Sequence, residues 1–164
     1  ISNTDELTHI YNRRGLIQNI KLLYKEYKEV SENLYFFIGD LDNLKYINDT
    51  YGHEEGDWYL NHFVDIVQEQ IRKKDLFARI GGDEFCIAIE ECDKAYLRER
   101  MQMIQEAFRT RVERPYLKDF SFGIIDSFEF PVKASVHELI QEADKRMYSQ
   151  KEEHRRALEL HNRA

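Results

Sequence analysis

The apolar positions of this 164-residue chain fall into two kinds of block. Leu60, Phe63, Val64, Val67 and Ile71 recur at three- and four-residue steps, which predicts a helix over 54–74. Glu54, Glu55 and Asp57 fall in its first turn, and Arg72, Lys73 and Lys74 in its last, the polarity that complements a helix dipole. Val136, Leu139, Ile140, Ala143 and Met147 recur in the same way behind Ser135-Val136-His137-Glu138, a capping box. Further helices are expected over 12–30, 43–50 and 93–111. The other blocks are continuous apolar runs, at 35–40, 76–80, 85–89 and 120–125, and these read as strands. The run Tyr35-Phe36-Phe37-Ile38 has no polar alternation and is expected to be buried on both faces. The runs at 76–80 and 85–89 are joined by a short turn, and helices separate the others. The pattern therefore predicts an α+β fold, with helices packed on a mixed, largely antiparallel sheet.

Candidate chemistry collects at two strand ends. Gly81-Gly82-Asp83-Glu84-Phe85 makes the turn between the two adjoining strands. A Gly-Gly pair there reads as a tight hairpin, with positive φ and bare backbone open to a ligand. Adjacent carboxylates beside bare backbone suit a divalent metal and a phosphate. A plain polar turn explains the same residues, because Gly and Asp are common in turns. Asp40 ends the buried 35–40 run, and Asp42 follows two residues later. Mg²⁺ takes one or two carboxylates and shares its remaining positions with water and substrate phosphates. Asp40 and Asp83 meet that demand if their strands are neighbours. Asp42 is expected only to cap the following helix.

Composition narrows the class. A chain of this length with 42% hydrophobic residues, 13% aromatic residues and 2 prolines is expected to form one folded domain over 1–164. The net charge of -7 argues against nucleic acid as a partner, though it does not exclude a nucleotide. No apolar run approaches membrane-spanning length and no signal peptide is visible, so membrane contact by this domain is not expected. Ile1 in place of Met points to a piece of a longer sensor or signalling protein, whose parent could be membrane-anchored. Cys86 and Cys92 read as reduced cytoplasmic thiols.

The stretch from Asp40 to Asp57 resembles the long signature of the GGDEF family of diguanylate cyclases, Asp-x-Asp-x-x-Lys-x-x-Asn-Asp-x-x-Gly-His-x-x-Gly-Asp, position for position. The spacing on to the Gly-Gly-Asp-Glu-Phe turn fits as well. So do an opening motif, Asp5-Glu6-Leu7-Thr8 with Asn12-Arg13-Arg14, and a closing one, Ala143-Asp144 through Tyr148, Lys151 and Arg155. The resemblance runs from about Asp5 to Arg155 and implies a nucleotidyl-cyclase, palm-like domain with a ferredoxin-like core. It implies condensation of two GTP molecules into cyclic di-GMP with release of pyrophosphate. Two Mg²⁺ or Mn²⁺ ions would serve each half-site. A second GGDEF domain would face the first as a homodimer, because one domain holds one GTP.

Carried over by position, Asp40, the backbone carbonyl of Leu41, and Asp83 would hold metal. Asp83 would also accept the proton, with Glu84 the second acid of the motif. Gly81 and Gly82 would bare the turn to GTP. Lys45 would face phosphate, where the bland reading is an exposed helix lysine. Asn48 and Asp57 would read guanine; a buried Asp57 carboxylate there pairs with guanine donors that adenine lacks. That disfavours a cyclase that joins adenylate to guanylate. His53 would contact substrate, although a His in this place is also a common cap. Lys151 and Arg155, four apart, would share a helix face and grip the triphosphate, or else form a solvated basic face. Arg72 and Asp75 match the family's product-inhibition site for cyclic di-GMP, in a place where basic residues at a helix end are expected anyway. The chain departs from the family at His9, Tyr11, His154 and Arg156, where Gly, Pro, Gly and Asn are usual; the last helix is therefore expected to run on to His161. The rival reading is a non-catalytic module that binds GTP or cyclic di-GMP for regulation.

Overall fold

A computed structural model describes residues 2–27, 34–90, 93–127 and 135–163. In chain order the elements are α1 (Arg13–Tyr27), β1 (Leu34–Asp42), α2 (Leu44–Tyr51), α3 (His53–Gln70), β2 (Leu76–Arg79), β3 (Glu84–Glu90), α4 (Lys94–Thr110), β4 (Asp119–Asp126) and α5 (Val136–Arg163). The sheet order is β2-β3-β1-β4, and each ladder is antiparallel. The one parallel pairing among the described residues is the isolated bridge Tyr11–Ala78. The expected mixed sheet is antiparallel at its ladders because β3 inserts between β1 and β2, which would otherwise pair in parallel across the α2–α3 crossover. This is the split β-α-β arrangement.

The period-two geometry of β1 explains its unbroken apolarity. Tyr35 and Phe37 join one core cluster with Tyr59, Phe63 and Val67 of α3 and Met101, Ile104 and Phe108 of α4. Leu34, Phe36 and Ile38 join the other, with Leu16 and Ile20 of α1 and Leu139, Ala143 and Met147 of α5. The sheet is thus covered by helices on both faces. Cys86 is buried in the second cluster as a free thiol, and burial pushes its pKa up to about 12. Cys92, and residues 28–30 of the expected first helix, lie outside the described residues.

Several boundaries differ from expectation. The 54–74 helix ends at Gln70, because Ile71 turns extended and the Asp75 carboxylate takes the Arg72 N–H at 2.8 Å. Arg72, Lys73 and Lys74 therefore lie beyond the helix. Asp42 does not cap α2: the N-cap is Asn43, left-handed at φ 78 with no side-chain cap bond, and Asp42 is the last residue of β1. Neither Gly81 nor Gly82 takes a positive φ; Gly52 does, at φ 96, in the single residue that separates α2 from α3. The capping box forms as expected, Ser135 Oγ accepting from Glu138 N–H and the Glu138 carboxylate from Ser135 N–H. Beyond Lys151, α5 continues two residues past His161.

Candidate active site

β1 and β3 are neighbours, with Asp40 directly opposite Glu84. Leu41 N–H donates to the Asp83 carbonyl at 2.8 Å, so all three acids gather where β1 ends and β3 begins. Arg79 fastens the turn between β2 and β3. Its guanidinium donates to the Gly82 carbonyl at 2.8 and 3.1 Å and pairs with Asp5 at 3.4 Å. Burial pushes Asp5 up, but the Thr8 and Arg79 bonds hold it below the ordinary carboxylate range. The glycines give access rather than unusual dihedrals. A Cβ on Gly81 would meet Glu84 Oε1 at 2.6 Å, whereas Gly82 faces open space.

The cluster is electrostatically unfavourable as it stands. Burial raises the pKa of Asp40, Asp83 and Glu84 alike. The Asp40, Asp83 and Asp144 charges push Glu84 further in the same direction. Lys151, on α5, offsets part of this from 2.6 Å off Asp40 Oδ2 and 3.2 Å off Asp144. Its own burial pulls the ammonium down, and those two carboxylates more than compensate. Asp40 Oδ1 is buried with no hydrogen-bond partner. A hard divalent cation would offset this charge, and Asp40, the Leu41 carbonyl and Asp83 are the oxygens that could hold one here.

The other expected contacts are more dispersed. Asn48 lies against Gly56: a Cβ there would sit 1.7 Å from Asn48 Oδ1, so the glycine is what lets Asn48 settle on the first turn of α3. Lys45, His53 and Asp57 are exposed. The expected burial of Asp57 is not found, because α3 starts at His53 and carries Asp57 out on its second turn. Arg155 pairs with Glu152 and Glu159 of its own helix, not with the acids at Lys151. Both cations nevertheless line one cavity of about 700 Å³ beside Asp42 and His154. Arg72 and Asp75 lie at the far end of β2 from the hairpin turn. They pair at 3.2 Å beside a separate cavity of about 470 Å³ that His9, Tyr11 and Phe77 also line. His9 stands at φ 65, a left-handed position where the family's usual glycine would be at ease.

A second polar cluster escaped the sequence reading. Asp42, Ser121, Asp119 and His154 meet one strand-step from Asp40. His154 Nδ1 lies 2.6 Å from Asp42 Oδ2 and 3.0 Å from Ser121 Oγ, and its Nε2 lies 3.4 Å from Asp119 Oδ2. Asp42, Asp119 and His154 offer ligand atoms all within 4.8 Å of one another, a group that could hold a metal ion. The contacts divide between the two ring nitrogens, which is how an imidazole bridges two carboxylates. The available signal was parity, since Asp42 must share a face of β1 with Asp40. Below this cluster the buried Tyr59 hydroxyl lies 2.6 Å from the Asp42 carbonyl and 2.9 Å from the Asp119 carbonyl, tying α3 to both strand ends.

Residues 2–157 match the family described as "Diguanylate cyclase, GGDEF domain". The chain is 33% identical over 159 residues to the uncharacterized protein YtrP of Bacillus subtilis, covering 97% of this chain and 26% of that protein. It is 30% identical over 154 residues to the diguanylate cyclase DgcP of Escherichia coli, covering 92% of this chain and 45% of the relative. The chain thus spans less than half the length of these relatives. The fold is shared with the GGDEF domain of DgcB from Caulobacter crescentus, solved in complex with c-di-GMP. That likeness has a TM-score of 0.80 at 22% identity and covers 93% of this chain and 91% of that one. No helix among the described residues is long and apolar enough to cross a membrane.

Proposed function

The chain belongs to the diguanylate cyclase GGDEF-domain family, and on that premise we propose that it condenses two GTP molecules into cyclic di-GMP, releasing pyrophosphate. One observation carries the reading: a buried, partnerless Asp40 oxygen stands among three acids whose pKa values burial raises. A module that only bound cyclic di-GMP would have no need of such an arrangement, which is costly unless something cationic fills it.

Bound Mg²⁺ or Mn²⁺, two ions held through Asp40, Asp83 and the Leu41 carbonyl, would neutralise charge on the triphosphate and on the departing pyrophosphate. The chain's own groups do the rest. Lys151 holds Asp40 in the ligand-free protein and transfers to phosphate when substrate arrives, joined by Lys45 and Arg155. Asn48, Asp57 and His53 receive the base end, and Gly81 and Gly82 let the nucleotide approach the turn. Asp83, whose carboxyl burial makes more basic, accepts the proton of the 3′-hydroxyl that attacks the α-phosphorus, with Glu84 beside it. Each 3′-hydroxyl attacks the nucleotide of the other half-site, so two domains must face each other as a homodimer.

The test is product formation from GTP by wild type and Asp83→Ala. Wild type is expected to yield cyclic di-GMP, and the variant none at a melting temperature no lower than wild type; ATP in place of GTP should give no cyclic product. Near-normal product from Asp83→Ala would remove it from the chemistry. Cyclic di-GMP is also the proposed ligand of Arg72 and Asp75. The Arg72 guanidinium there pairs with Asp75 and donates to the Glu90 carbonyl, so a bound product would take over donors that these groups hold in the ligand-free protein. Calorimetry should show weaker cyclic di-GMP binding to Arg72→Ala at an unchanged initial rate, and equal affinity would return Arg72 to a turn-forming role.

A further inference from the structure

β4 is an edge strand, and one stripe of α5 covers it. Arg146 donates to the Ile124 carbonyl at 2.6 Å. Four residues on, Gln150 donates to the Phe122 carbonyl at 3.0 Å and accepts from Phe122 N–H at 3.3 Å. Four more residues on, His154 reaches Ser121 at 3.0 Å and Asp119 at 3.4 Å. Residues at i, i+4 and i+8 share one helix face, so the stripe fastens α5 along the strand edge. Its last rung also crosses to β1, where His154 meets Asp42 at 2.6 Å.

Both carboxylates at this rung are themselves fixed. Ser121 Oγ donates to Asp42 at 3.0 Å, while Arg109 and Gln105 of α4 hold Asp119 at 2.9 and 3.0 Å. The His154 side chain is only 12% exposed. Lys151 stands one turn before it, and Asp40 stands two residues before Asp42 on the same face of β1. The two contacts, Lys151–Asp40 and His154–Asp42, therefore run in parallel between the same pair of elements. The second is the shielded one, and it sets the height and rotation of α5 at the point from which the flexible lysine reaches out.

Building on the cyclase reading above, we propose that His154 is a positioning residue for the reaction. By bridging Asp42 and Asp119 it docks α5 on the ends of β1 and β4, and so aims Lys151 at the acids and at the triphosphate of GTP. The bridge uses both ring nitrogens, which a chain with glycine at this position could not provide.

The experiment measures KM for GTP and kcat in wild type, His154→Ala and His154→Gln, each alone and combined with Lys151→Met. His154→Ala is expected to raise KM about tenfold while kcat stays within about threefold, the signature of lost ground-state binding. His154→Gln, which keeps one donor, should fall between wild type and Ala. In the Lys151→Met background neither change should raise KM further, because a residue that acts through Lys151 has nothing left to position. An unchanged KM, a fall in kcat alone, or a full additional loss in the Lys151→Met background would overturn the proposal. Should wild type turn over no GTP, the cyclase reading falls, and the same comparison is then read in GTP affinity by calorimetry.

Discussion

Asp40 sits where folding and chemistry make opposite demands. Its burial raises the carboxyl pKa, and the Lys151 contact offsets this only in part. Between the ordinary carboxylate pKa and the raised folded value, the folded protein holds a proton that the unfolded chain has lost. Stability therefore falls as pH rises through that window, and the penalty is complete above it. Asp40→Asn is accordingly expected to raise the melting temperature of the metal-free protein by a few degrees at neutral pH, with the difference vanishing below the carboxylate range. Divalent ions should stabilise wild type more than the variant, and the variant should make no product. Calorimetric melting curves across pH decide this, and a less stable variant at neutral pH would contradict it. Asp40 stood out in the sequence because it closes an apolar run, and Asp83 because it follows the Gly-Gly pair in the turn between two such runs. Asp42 was misread as a cap. Its partner His154 lies 112 residues away, and no local pattern announces a contact of that span.

The elements themselves were largely legible, because their periodicity is a local property. The one that differed, α3, yielded to non-local competition: it stops early where the Asp75 carboxylate takes a backbone N–H, while α5 runs on past Lys151 as expected, with His154 anchoring it. The register of α5 on the sheet depends on one glycine. A Cβ on Gly123 would meet the Ala143 carbonyl oxygen at 3.0 Å, its Cα at 3.2 Å and Arg146 Cβ at 3.2 Å. Backbone cannot yield as a flexible side chain does, so Gly123→Ala should push α5 outward and destabilise the domain by about 1–3 kcal/mol. The same shift should loosen the Lys151–Asp40 contact further along the helix and weaken GTP binding. Denaturant unfolding and GTP titration check the two halves of this expectation, and a variant of wild-type stability would show that α5 is not held at Gly123.

On the scale of the whole molecule, sequence pattern gave the layers but not the strand order. An apolar run shows that a strand is buried on both faces, not which strands flank it. The placing of β3 between β1 and β2 is what turns an expected mixed sheet into antiparallel ladders and brings Asp40 opposite Glu84. That sheet end presents a single set of acids, Asp40, Asp83 and Glu84, whereas joining two nucleotides symmetrically takes two facing sets. Activity should therefore depend on association of two chains. The most direct measurement incubates the domain with GTP and Mg²⁺ over a wide range of protein concentrations and resolves the nucleotide products. The expected result is cyclic di-GMP and pyrophosphate, with activity per molecule rising as protein concentration rises. Stable binding of GTP or cyclic di-GMP with no turnover at any concentration would contradict it and identify the domain as a nucleotide-binding module instead.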